Sequence, residues 1–153
     1  MLADQPVTNV MTAPVIILSS EQTIEEAVAI LTEQGISGAP VADGDGRLVG
    51  LLDDTDLILS GARLHAPTTI EILGAYLTLP GERHRFESDL RAALGQTVGA
   101  VMETKPATVG LDGTLGDVAT IILDRDVSRV PVLDAGGKVA GIVTRGDLVK
   151  SMF

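Results

Sequence analysis

Ser37-Gly-Ala-Pro-Val41 and Gly50-Leu-Leu-Asp-Asp-Thr-Asp56 decide the reading of this chain, because both stretches return further along it. At an offset of 91 positions stand Ser128-Arg-Val-Pro-Val132 and Gly141-Ile-Val-Thr-Arg-Gly-Asp147. The register holds without a gap from Val7, which falls on Val98, to Leu57, which falls on Leu148. Between those ends Met11 meets Met102, Thr23 meets Thr114, Gly46 meets Gly137 and Asp56 meets Asp147. A constant offset through helix, turn and strand signals means two copies of one supersecondary unit. Two copies imply a pseudo-twofold arrangement. A cleft between them then occurs twice, with its chemistry edited separately at each place.

Each copy carries the same order of signals. A lead-in, Val7 to Ile17 or Val98 to Val109, reads as extended. A helix follows, with Thr23 or Thr114 at its N-cap and an acid three residues on, running to Gln34 or Arg125. Ile24, Ala27, Val28 and Leu31 share one face of the first helix. A strand, a tight turn (Asp43-Gly-Asp-Gly46 or Asp134-Ala-Gly-Gly137) and a second strand make a hairpin. A last helix opens at Asp53 or Thr144. The proline within the first hairpin strand predicts an edge strand or a break. The fold class is α+β: two strand-helix-strand-strand-helix units packed sheet to sheet.

Residues 60–96 belong to neither copy, so the chain divides into 1–59, an insertion at 60–96, and 97–153. The insertion reads as helical. Pro67 opens a helix running through Thr68, Ile70, Ile72 and Leu73 to Tyr76, and a second helix spans Glu82 to Leu94. Ile70, Leu73, Leu77 and Leu79 form an apolar face suited to a subunit contact.

Composition narrows the function. The chain has 153 residues, 45% hydrophobic but only 2% aromatic, which predicts one aliphatic core system. It has no cysteine, so thiolate chemistry is excluded. The net charge of -10, with no basic run, argues against nucleic acid and anionic membranes. No stretch has the length of a membrane span, and the N-terminus has no basic, apolar leader pattern, so a cytoplasmic protein is expected. Both histidines, His65 and His84, fall in the insertion without triad partners, and no phosphate loop or zinc-binding motif occurs, so an enzyme is not expected.

The doubled endings, the Ser-x-x-Pro-Val strands and the Asp-x-x-Gly turns resemble the cystathionine-β-synthase (CBS) domain, a regulatory module found in tandem pairs. The resemblance covers both copies, and the insertion is similar to that of small stand-alone bacterial CBS-pair proteins. The family's ending is Gly, apolar, any residue, Ser or Thr, two residues, Asp. Gly141 to Asp147 fits it completely. Gly50 to Asp56 departs from it at Asp53, which replaces the hydroxyl. The resemblance implies an adenosine ligand (AMP, ADP or ATP, with S-adenosylmethionine, NAD and cyclic dinucleotides as further adenosine carriers), a homodimer and an unnamed downstream protein.

Thr144 and Asp147 stand where a strand hands over to a helix, where free N–H groups attract an anion. By their residue types they serve equally as a helix cap, and the two roles are compatible. The resemblance implies that Asp147 holds ribose and Thr144 helps to hold phosphate. It pairs Thr144, Arg145 and Asp147 with Thr12, Ala13, Pro14 and the strand Ile36, Ser37, Gly38, Ala39. Small Gly38 and Ala39 leave room for a base, walled by Ile36 and Pro14, and Arg145 reaches toward phosphate. The second cleft pairs Asp53, Asp54 and Asp56 with Thr104, Lys105, Ser128 and Arg129. There Asp53 repels phosphate, so weak or no nucleotide binding is expected: the cleft suits a neutral nucleoside or a cation, or stays empty. The acidic group from Asp43 to Asp56 lacks the spacing of a calcium loop, and no metal is assigned.

Two rival functions follow from other classes. An interaction scaffold would keep the fold and lose both clefts. A metal-dependent phosphotransferase would use the aspartates, but no general base stands beside a phosphate loop.

Overall fold

The computed structural model describes residues 1–61, 69–72, 75–78 and 95–153. Both long helices begin and end where the sequence places them. Helix α1 spans Ile24–Gln34, and the Thr23 hydroxyl accepts the Glu26 N–H at 3.1 Å. Ile24, Ala27 and Leu31 are buried and Val28 packs partly against them. The helix stops at Gly35, whose φ of 66° suits a residue without Cβ. In the second copy the equivalent helix spans Leu115–Arg125 and is numbered α4 below. It has a full capping box between Thr114 and Asp117.

Strands β1 (Gly38–Ala42) and β2 (Leu48–Asp53) form the first antiparallel hairpin, and helix α2 (Asp54–Gly61) follows. In the second copy, after a helical turn α3 (Val98–Val101) and the short strand β5 (Val109–Gly110), the hairpin is β6 (Arg129–Leu133) with β7 (Val139–Thr144). Helix α5 (Arg145–Ser151) closes the chain. The Asp43 carboxylate accepts the N–H groups of Asp45 and Arg47, and Asp134 does the same for Gly136 and Lys138. These aspartates are turn residues, occupied by their own backbone.

Three expectations change. The lead-ins are not extended throughout: each begins with a helical turn, Val7–Asn9 and Val98–Val101. Strand β6 with Pro131 is not an edge strand but the middle of β5-β6-β7. The proline is accommodated because β5 pairs only from Val132 onward, leaving no partner that needs an N–H at 131. In the insertion, the span expected as the first helix holds β3 (Thr69–Ile72) and β4 (Ala75–Thr78), paired antiparallel with Ile70 opposite Leu77. The β-branched Thr69, Ile70 and Ile72 favour that extended pairing over a helix. The second expected helix, Glu82–Leu94, lies outside the described residues, as do Leu73 and Leu79.

The two copies exchange their lead-ins. Val7 and Met11 pack in the core of the second copy with Val109, Val118, Ile122, Val130, Val132 and Val143. Val98, Val101 and Met102 pack in the core of the first with Leu18, Ile24, Leu31, Val41 and Leu52. The backbone repeats the exchange. Val7 N–H donates to Gly113 at 3.0 Å, and Val98 N–H donates to Gln22 at 2.8 Å. Thr12 and Ile142 exchange two bonds of 2.9 and 3.2 Å, and Glu103 and Leu51 exchange two of 2.9 Å. Each core is therefore one copy's body closed by the other copy's lead-in.

Candidate functional site: two unequal clefts at the seam

At the end of β7 the Thr144 hydroxyl accepts the Asp147 N–H at 3.1 Å, and Asp147 Oδ2 accepts the Thr144 N–H at 2.9 Å. Asp147 Oδ1 takes no hydrogen bond among the described residues. The pair caps α5 and leaves one carboxylate oxygen for a further donor. At the end of β2 two carboxylates repeat the geometry. Asp53 Oδ1 accepts the Asp56 N–H at 3.1 Å, and Asp56 Oδ2 accepts the Asp53 N–H at 3.0 Å.

That doubled acid has an electrostatic consequence. The Asp56 pKa is raised from 3.8 to about 6, first by burial, and then by the charge of Asp53 and a proton shared with it, and by the charge of Glu103. The hydrogen bond from the Asp53 N–H opposes the rise. A second negative group brought to this place meets the same field.

A cavity of about 440 Å³ opens beside Asp53 and Asp56. Its walls come from both copies: Leu51 and Asp53 to Asp56 from one, Glu103, Pro106, Ala107, Asp126 to Arg129 and Arg145 from the other. Of the residues expected at the second cleft, this cavity brings together Asp53, Asp54, Asp56, Ser128 and Arg129. Thr104 and Lys105 are not among its walls. Glu103 stands there instead, with its side chain accepting the Lys105 N–H at 3.0 Å. Glu103 was legible in principle, since it is the repeat mate of Thr12.

Arg145 also moves. Its Nη2 donates to the Val127 carbonyl at 3.0 Å and lies 3.9 Å from Asp126, and the residue is among the walls of the second cleft. In the first cleft, Thr12 is exposed and held beside β7 through Ile142. Ala13 and Pro14 follow it, exposed, and Ile36 and Ser37 are exposed at the start of β1. Ala39 is only 1% exposed and belongs to the core, so its side chain cannot line a cleft. The room at Gly38 is already filled. Arg129, 7% exposed, lays its guanidinium over Gly38, with Nη1 donating to the Gly38 carbonyl at 2.9 Å and Nη2 to the Ser37 hydroxyl.

Comparison with known proteins gives the family and the fold. The CBS domain family model matches twice, at residues 7–62 and 98–153, and the chain belongs to that family as a CBS pair. An uncharacterized protein of Methanocaldococcus jannaschii is 29% identical over 96% of this chain and 90% of its own length. The CBS domain-containing protein CBSX1, chloroplastic, of Arabidopsis thaliana is 35% identical over 84% of this chain, which spans 55% of that relative. The crystal structure of CBSX2 in complex with AMP superposes with a TM-score of 0.71 at 26% identity, covering 97% of this chain and 96% of that one. The CBS domain pair of protein MJ0100, solved with methylthioadenosine and S-adenosyl-L-methionine, shares the fold at a TM-score of 0.73 and 24% identity, covering 97% and 95%. No helix among the described residues is long and apolar enough to cross a membrane.

Proposed function

We propose that this chain is a regulatory module that senses an adenosine nucleotide (AMP, ADP or ATP) between its two CBS repeats and passes the change to a partner protein. The observation that carries the reading is the cavity of about 440 Å³ at the seam, walled by residues of both repeats. That size suits a small ligand, and a ligand touching both walls biases their relative tilt through its differential affinity for two arrangements. The AMP complex of a CBS pair 26% identical to this one supports an adenosine ligand. The first cleft, with the Thr144 hydroxyl and the free oxygen of Asp147, takes the phosphorylated ligand. The second, with Asp53 in place of the hydroxyl, takes it more weakly. The ligand is held and released unchanged.

The module works as a cytoplasmic homodimer. Leu123 on α4 is 80% exposed, and Val149 and Met152 at the end of α5 are 50% and 59% exposed, which supports an apolar contact between copies. These residues also support the rival scaffold reading.

The test is thermal stability and calorimetry of wild type and Asp147→Asn against AMP, ADP, ATP, NAD and S-adenosylmethionine. A ligand at about 100-fold excess over Kd stabilises by about 2.7 kcal/mol. A saturable gain with one ligand, lost in the variant, is the expected result. No gain with any of them, in protein free of co-purified nucleotide, leaves the scaffold.

A further inference from the structure

Arg129 is the one charged residue among the described residues that is buried. Its repeat mate is Gly38, and the two meet at the seam. A Cβ at Gly38 would sit 2.9 Å from the Arg129 guanidinium carbon. One copy supplies the side chain and the other the space for it. The guanidinium donates to the Gly38 carbonyl, to the Ser37 hydroxyl and, through Nε, to the Ser128 hydroxyl at 3.4 Å. All three acceptors are neutral, and no carboxylate lies within 4.0 Å among the described residues. A buried cation without a counter-charge is poorly satisfied by neutral acceptors alone. The same residue is among the walls of the second cavity. It therefore stands in both clefts at once, as partner of Ser37 and Gly38 in the first and as a charged wall of the second.

We propose that Arg129 couples the two clefts, so that a ligand in the first tightens the binding of an anionic ligand in the second. The inference rests on the nucleotide-sensing reading above. A base in the first cleft that donates its exocyclic amine to the Gly38 carbonyl competes with the guanidinium for that acceptor. A ligand hydroxyl or phosphate on Ser37 competes for the other. The released guanidinium has one place to go, the second cavity. There it offsets the field of Asp53, Asp56 and Glu103 that otherwise repels phosphate. Linkage requires the reverse effect to be equal: an anion that draws Arg129 into the second cavity frees Ser37 and Gly38 for the first.

The experiment uses AMP as the probe and the Ala107 amide, in the second cavity wall, as the NMR reporter. The second-cleft affinity is measured in wild type, in Asp147→Asn with its first cleft impaired, in Arg129→Met, and in the double variant. Impairing the first cleft is expected to weaken AMP at the Ala107 reporter by about 5-fold or more when Arg129 is present, and to change nothing in the Arg129→Met background. Arg129→Lys, which keeps the charge and one donor, retains part of the coupling. It also keeps the test open if the Met variant does not fold. An unchanged second-cleft affinity in Asp147→Asn overturns the coupling and leaves the sensor reading standing, as does a wild type whose second cleft takes no AMP. Absence of AMP binding anywhere in the wild type overturns the coupling, and the sensor reading falls with it only where ADP, ATP, NAD and S-adenosylmethionine fail as well.

Discussion

Asp53→Thr should make this protein more stable at neutral pH and leave it little changed in acid. The substitution restores at Asp56 the hydroxyl-capped arrangement found between Thr144 and Asp147. With its folded pKa near 6 against 3.8 unfolded, Asp56 holds its proton more tightly in the folded chain. Its contribution to stability is therefore fully present below 3.8 and is lost as the pH rises through 6. At about 1.4 kcal/mol per pH unit the loss is about 3 kcal/mol at face value. The site is more open than closed, and screening brings this down to about 1 kcal/mol. Burial is the leading cause and survives the substitution, so Asp53→Thr should recover about half of that, or ~0.5 kcal/mol, near pH 7.5. In acid the gain should vanish, because Asp56 is then neutral and Asp53 is itself a good N-cap. Urea unfolding of both proteins across this range reads the difference, and the carboxyl carbon of Asp56, followed by NMR, should titrate near 6 in wild type and lower in the variant. A gain of equal size at acid and neutral pH, or an unmoved Asp56 titration, refutes the electrostatic account.

Gly38→Ala brings a Cβ to 2.7 Å from the Leu52 carbonyl and 2.9 Å from the Arg129 guanidinium carbon. It should lower stability by about 2 kcal/mol in urea unfolding, whereas alanine at the exposed Gly44 of the turn, where a Cβ meets nothing, should not. Val98→Ala should cost about 2 kcal/mol, and hydrogen exchange should quicken in β1 and β2 rather than in the copy that contains Val98. Val7→Ala should show the mirror pattern, quickening β6 and β7. Thr144→Val removes the hydroxyl that caps α5, so it should lose about 1 kcal/mol of stability and, by calorimetry, bind AMP more weakly than wild type.

What was legible in the sequence follows the range of the physics involved. Caps and turns depend on residues three or four apart, so Thr23, Thr114, Thr144, Asp43 and Asp134 all act as their spacing announces. The repeat offset places the hairpins for the same reason. The insertion misled because Ile70, Ile72 and Leu73 fit a helical face, while the period of two in Ile70 and Ile72 fits a strand equally well. At the strand-to-helix handovers, the caps made by Thr144 with Asp147 and by Asp53 with Asp56 were legible because backbone position sets them. The reach of the Arg129 and Arg145 side chains was not. A long side chain at a known backbone position reaches several places, and only the space left by Gly38 and the carbonyl of Val127 decide where these two go.

Similarity between copies is silent on which core a segment joins, and only the family resemblance, by setting Thr12 beside the ending of the other copy, touched the exchange of lead-ins. It bears on how a ligand can act. Thr12 and Glu103, the residues that carry the lead-ins past the clefts, are each bonded to a hairpin strand of the opposite copy. A few residues upstream, the same segments place Val7 and Val98, both fully buried, in the opposite cores. The copies therefore cannot slide apart along their seam without pulling a valine out of each core. The seam is where Arg129 and Gly38 meet. Under the proposed sensing, a ligand that pressed on Thr12 or Glu103 would load both cores together. A module built from two independent halves would let each cleft fill without consequence for the other. This one, with lead-ins crossed and one guanidinium at the seam, gives the proposed coupling a path from each cleft to its neighbour.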